Sequence, residues 1–187
     1  MSGADTRAAK EYRHLSALLE REDSDLPDEE RLNLARRLTA LAPKQADSWW
    51  SVATQIDWML RDAAGEDLRE DPLVDELILA WDRVTELDPT DAAAPYNKSR
   101  ILRSVGRLRE AYDALMLAGK TEQAHPNREI EWPAVFHYED AAELALQLGD
   151  NELALSAAQA ALAAGASDPS AAALLNRLRD EASRRPT

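Results

Sequence analysis

Apolar residues recur three and four positions apart along almost the whole chain, and this spacing constrains the fold more than any other feature. Tyr12, Leu15, Leu18 and Leu19 form one such face, and Leu32, Ala35, Leu38 and Leu41 form the next. Trp49, Val52, Ile56 and Leu60 follow, then Val74, Leu77, Trp81 and Val84. Leu102 and Val105 precede Leu108, Ala111, Leu115 and Ala118. An alanine-rich final third carries Leu144, Leu148, Leu153, Ala157, Ala161 and Leu162, and then Leu174, Leu175 and Leu178. Such spacing gathers side chains on one stripe of an α-helix. No period-two alternation lies between turn signals, so no strand is expected.

The breaks in this pattern are chemically marked. Asp71-Pro72 and Asp168-Pro169 each put an acceptor at a helix N-cap and a proline at the first helical position, where its missing N–H costs nothing. Gly106, Gly119, Gly149 and Gly165 stand where helices should stop with a positive φ. About nine helices are predicted: 5–20, 28–41, 48–64, 72–87, 92–104, 108–118, 133–148, 151–164 and 169–183. Residues 21–27 form an acidic linker, and 119–132 form the longest loop. Short connections elsewhere make neighbouring helices antiparallel.

Composition narrows the function. With a formal net charge of −13, the surface repels phosphate backbones, which argues against a nucleic-acid partner. The absence of cysteine excludes disulfides, thiolate metal sites and a cysteine nucleophile. The first residues, MSGADTRAAKEYRH, have no apolar core of a signal peptide, and no run is long enough to span a membrane. A cytoplasmic protein is expected, and the arginine and alanine content with only four lysines suggests a bacterial source.

Two stretches repeat one layout. VGRLREAYDALMLAG (105–119) and LGDNELALSAAQAALAAG (148–165) each place a glycine two residues ahead of a helix with a small-residue face, and Gly106 and Gly149 lie 43 positions apart. Here the chain resembles the tetratricopeptide repeat family, whose 34-residue helix–turn–helix prefers a bulky residue at position 4, small ones at 8, 20 and 27, glycine near 15 and proline at 32. Pro43 matches the closing proline of a preceding repeat. Trp49 and Ala53 then fall at positions 4 and 8, Trp81 at the aromatic position 24, and Asp88-Pro89 at the close. In the next repeat Ser99, Gly106, Ala111 and Ala118 take positions 8, 15, 20 and 27. In the third, Tyr138, Ala142, Gly149, Ala154 and Ala161 take positions 4, 8, 15, 20 and 27. The first repeat carries about 12 extra residues between its helices, around RDAAGEDLREDP, and the second has Pro95 where a bulky residue is usual.

The resemblance implies an all-α fold: a right-handed α-solenoid of antiparallel helix pairs in a single domain over 1–187. Residues 5–41 would be a degenerate first pair, 46–165 three irregular repeats, and 169–183 a capping helix. It also implies a non-enzymatic interaction module, an adaptor, scaffold or accessory subunit that holds a peptide or helix of another protein in a concave groove. The family's groove positions fall on Trp50, Thr54 and Trp58, on Tyr96, Asn97, Arg100 and Arg103, and on Phe136, Glu139, Asp140 and Glu143. Asparagine can clamp a peptide backbone and arginine can grip a carboxylate. In the WW pair, Trp49 is expected in the core and Trp50 in the groove.

Charge supports looking there. Residues 90–120 carry six bases against three acids, whereas 57–89 carry 11 acids against three bases and 121–169 nine acids against one base. Either neighbouring repeats neutralise one another, or the basic block receives a partner's carboxylates.

Catalytic and cofactor signals are weak. GKT at 119–121 lacks the upstream glycine of a phosphate-binding loop, and Ala114 stands in its place. His137, Asp140 and Glu143 share a helix face, but a second histidine at metal spacing is missing, so a solvated polar face is expected. No catalytic residue, metal or cofactor is expected. Metal or small-molecule chemistry around His137, and a homodimer formed through the alanine-rich helices 141–164, are the alternatives.

Overall fold

The computed structural model describes residues 3–20, 26–62, 68–126, 133–165, 172–173 and 175–176. Among the described residues there are eight α-helices and no strand. None of these helices is long and apolar enough to cross a membrane. The chain forms two compact units, residues 1–88 and 89–187.

The first unit holds α1 (Gly3–Leu19), α2 (Asp28–Leu41), α3 (Ala46–Asp62), a 3-10 turn at Leu68–Glu70, and α4 (Pro72–Leu87). Each helix packs on the next in order. Leu32, Ala35 and Leu38 of α2, Val52, Ala53 and Ile56 of α3, and Leu77, Trp81 and Val84 of α4 are buried, on the stripes that the spacing predicts. Asp71 caps α4: its Oδ1 accepts the Leu73 N–H at 2.8 Å, with Pro72 at the first helical position. Arg31 of α2 donates from Nη2 to the Leu19 carbonyl at 3.1 Å, satisfying an orphan acceptor in the last turn of α1.

The second unit holds α5 (Ala93–Ser104), α6 (Leu108–Ala124), α7 (Ala134–Gln147) and α8 (Asn151–Ala164), again packed in sequence order. Alanines dominate its core: Ala111, Ala118, Ala141, Ala142, Ala145, Ala154, Ala157 and Ala161 are all fully buried. Small side chains let helix axes approach closely. Pro95 is buried in the first turn of α5, where its missing N–H removes no helical hydrogen bond.

The repeat is visible in how the helices end. Gly106 and Gly149 have φ of 78° and 72°. Gly106 N–H donates to the Arg103 carbonyl and Arg107 N–H to that of Leu102; Gly149 and Asp150 do the same to Leu146 and Ala145. Both are Schellman endings. The other type of ending also recurs. Ala42, Asp88 and His125 each leave the helix at φ between −128° and −139° and ψ between 63° and 84°, just before Pro43, Pro89 and Pro126. A residue before proline is barred from the helical region, so each helix stops there.

Some expectations need correction. The sixth helix ends at Ala124, not at 118, so 119–124 belong to a helix and not to a loop. Gly119 is therefore no helix stop; a Cβ placed on it would lie 2.6 Å from Tyr138 Cε1, and glycine is needed there for close packing. Gly165 ends α8 at φ −145° without a positive φ, and it too lies against a side chain, that of Val135. The third helix starts at Ala46, two residues before the expected 48; its expected last residues, 63–64, lie outside the described residues. The linker at 21–25 and residues 127–132 lie outside the described residues. So does the expected capping helix 169–183, apart from 172–173 and 175–176, which are helical, with Leu175 buried.

Candidate interaction site

In the second unit, side chains of α5 and α7 meet on one face. The Tyr96 ring centroid lies 5.2 Å from that of His137, tilted by 54°. One turn along α7, half-buried Asp140 feels the charge of Arg103. Burial raises its carboxyl above the usual carboxylate range, and Arg103 opposes that rise. Asn97 is half-buried beside Tyr96 in sequence; Arg100 is exposed, and among the described residues it makes no ion pair. Phe136, in the first turn of α7, is 45% exposed. Glu143 is exposed and Glu139 half-buried.

The basic block divides between the two expectations. Arg107 pairs with Glu110 at 2.6 Å, and Arg109 with Asp150 at 3.3 Å. Arg103 acts on Asp140. Ion pairs thus account for Arg107 and Arg109, and Asp140 lies near enough to feel Arg103; exposed Arg100 on α5 and Lys120 on α6 have no ion pair among the described residues.

His137 does not lie on a solvated face. It is 4% exposed, because it heads the buried stripe His137–Ala141–Leu144 of α7. Burial pushes its imidazole below the ordinary histidine range, and the Glu122 carboxylate pulls less strongly the other way. Glu122 and Thr121 of α6 are buried as well. Sequence reasoning missed these two because it stopped the helix at 118; continued by one turn, Glu122 follows Leu115 and Ala118 on the core stripe. Among the described residues no three of His, Asp or Glu are grouped to hold a metal ion.

The other three candidates lie in the first unit, on α3. Trp50, Thr54 and Trp58 are spaced by four and share one helix face. Trp50 is half-buried and meets the core Trp81 edge to face, centroids 4.9 Å apart. Trp58 is 48% exposed, with the Arg31 guanidinium 5.8 Å from its ring centroid. Gln55 steadies that guanidinium, accepting from Arg31 Nε at 3.1 Å. Trp49, expected in the core, is also only half-buried: its indole donates to the Pro43 carbonyl at 3.0 Å and Arg83 lies over its ring. It is Trp50 that joins the core tryptophan.

No family model matches the chain, and no curated protein matches it. Solved structures do. A crystal structure of the MamA protein superposes with a TM-score of 0.60 at 13% identity, over 94% of this chain and 88% of that one. A second MamA crystal structure gives 0.52 at 12%, over 81% and 77%. These are tetratricopeptide-repeat proteins. The fold is tetratricopeptide-like. A thermophilic tetratricopeptide protein of Thermus thermophilus also matches, at 16% identity over 79% of this chain and 71% of that one, with a TM-score of 0.47.

Within a tetratricopeptide-like frame, α3, α5 and α7 are the first helices of their pairs and α4, α6 and α8 the second. All eleven candidate groove residues then stand on first helices. The chemistry on α5 and α7 suits binding better than catalysis. It offers aromatic surface at Tyr96 and Phe136, an amide at Asn97 and a cation at Arg100.

Proposed function

We propose that the protein is a non-enzymatic interaction module and that its α5–α7 face grips a carboxylate-bearing segment of another protein. The observation that carries this reading is Arg100. It is exposed and carries no ion pair among the described residues, one turn from Tyr96 and Asn97, while Arg103, Arg107 and Arg109 answer to acids of their own unit. An exposed guanidinium without an ion pair among the described residues is suited to a bidentate contact with a partner's carboxylate. Tyr96 and exposed Phe136 supply apolar area beside it. The stripe Trp50–Thr54–Trp58 is a second contact region of the same module.

Selection of peptides from a displayed random library, followed by affinity measurement on the selected sequences, tests this. Selected peptides should be rich in Asp or Glu and should bind less well as salt rises. Arg100→Glu should weaken them tenfold or more, since a hydrogen bond to a charged group contributes about 1.5–3 kcal/mol. Its circular dichroism should be unchanged, because Arg100 buries no core surface. Salt-independent binding, or normal binding by a folded Arg100→Glu protein, would remove Arg100 from the site.

A further inference from the structure

We propose that His137 is an acid-sensitive latch beneath the α5–α7 face, and that its protonation displaces the first turn of α7 and releases Tyr96. The effect on partner binding rests on the function proposed above, whereas the latch itself does not.

The geometry is that of a histidine held neutral. His137 is 4% exposed, and its Nδ1 is buried without a hydrogen-bond partner among the described residues. A neutral imidazole tolerates this at the cost of one unmade bond. An imidazolium carries a proton on both ring nitrogens, so the same position would bury a charge and an unmatched donor together.

The groups on the packed elements do not offset that cost. From α6, buried Glu122 is the one carboxylate among the described residues that acts on the ring, and burial outweighs it. From α5, Tyr96 presents its ring, and Arg103 acts on Asp140, further along α7. From α8 and the turn before it, Asp150 is engaged by Arg109 and Glu152 is exposed; neither acts on His137. A proton arriving here is accommodated best by moving the ring toward water.

The position of His137 makes that movement local. It lies in the first turn of α7, which starts after Pro133 with no side-chain cap. The first N–H groups of a helix have no partner within it, so displacing this turn breaks few bonds. Tyr96 rests against the His137 ring and would lose its support.

Solution NMR of the full chain between pH 7.5 and 4.5 tests the latch. The His137 ring should titrate below the ordinary value of about 6.5. Tyr96 ring signals should shift with the same midpoint. Amides in the first turn of α7 should exchange at least tenfold faster across that step, after correction for intrinsic rates, while α1–α4 stay unchanged. In His137→Phe the Tyr96 transition should disappear. Tyr96 and α7 signals that ignore the His137 titration, or a Tyr96 transition that survives in His137→Phe, would overturn the proposal. Should that variant not fold, the wild-type titration decides alone. Since no partner enters the experiment, failure of the proposed binding face would leave this result standing, and the reverse also holds.

Discussion

Two glycines separate two reasons for using the residue. Gly106 has φ 78° with open space around its missing Cβ, so Gly106→Ala incurs only backbone strain, about 1–2 kcal/mol. Gly119 lies inside α6, where alanine would be preferred by about 1 kcal/mol. Three ring atoms of Tyr138 stand 2.6–2.8 Å from the Cβ position, however, and Tyr138 is itself 2% exposed with its hydroxyl donating to Gln123. The ring has nowhere to retreat, and overpacking of about 1–3 kcal/mol prevails over the helix preference. Gly119→Ala should therefore lower the urea midpoint. In a Tyr138→Leu background the same change should be neutral or stabilising, a coupling that a double-mutant cycle reads directly. An equal cost in both backgrounds would mean that Tyr138 is not what excludes the methyl group.

The helices owe their boundaries to a few local devices, and one of them can be tested alone. Asp71 Oδ1 accepts the Leu73 N–H ahead of Pro72, so Asp71→Ala should cost about 1 kcal/mol and Asp71→Asn much less, because the amide oxygen can still accept. Equal losses in urea unfolding would show that charge, not acceptance, does the capping. Devices of this kind were legible in the sequence because their causes are local: Asp71-Pro72, Gly106, Gly149, Pro43 and Pro89 all act where they stand. Where reading failed, the cause was distant. Gly119 looks like a stop signal until Tyr138, on the next helix, is known to need its space. The true stop, His125-Pro126, has the same form as Asp88-Pro89 but was hidden by that earlier glycine. The candidate site was legible to the same degree. The first-helix positions followed from the repeat, but whether Arg100 or Arg103 is left without an acid depends on Asp140, which only packing brings near. His137 looked polar and solvated because its neighbours Tyr96 on α5 and Glu122 on α6 lie well outside its own helix.

At the scale of the whole molecule, charge sets two opposing responses to salt. The chain carries 35 acids against 22 bases, a net charge of −13. Ion pairs such as Arg36–Glu76, Arg37–Glu11 and Arg61–Asp57 are exposed, so each contributes about 0–1 kcal/mol. Their partners are 2.5–2.7 Å apart, well inside the Debye length of about 10 Å at 0.1 M, so moderate salt weakens them little. Repulsion among the surplus acids acts over longer distances and is what salt screens most. Stability should therefore rise between 20 and 200 mM sodium chloride. A gain of about 1 kcal/mol would lift a melting midpoint by about 2–4 °C for a chain of this size, for whichever transitions the two units show. Binding at the α5–α7 face should move the opposite way, because the partner's carboxylate starts far from Arg100 and salt screens their attraction during the approach, slowing association. A melting midpoint that falls with salt would mean that the ion pairs outweigh the net charge. A protein that becomes more stable while its partner lets go would separate the long-range charge of the molecule from the local charge of Arg100.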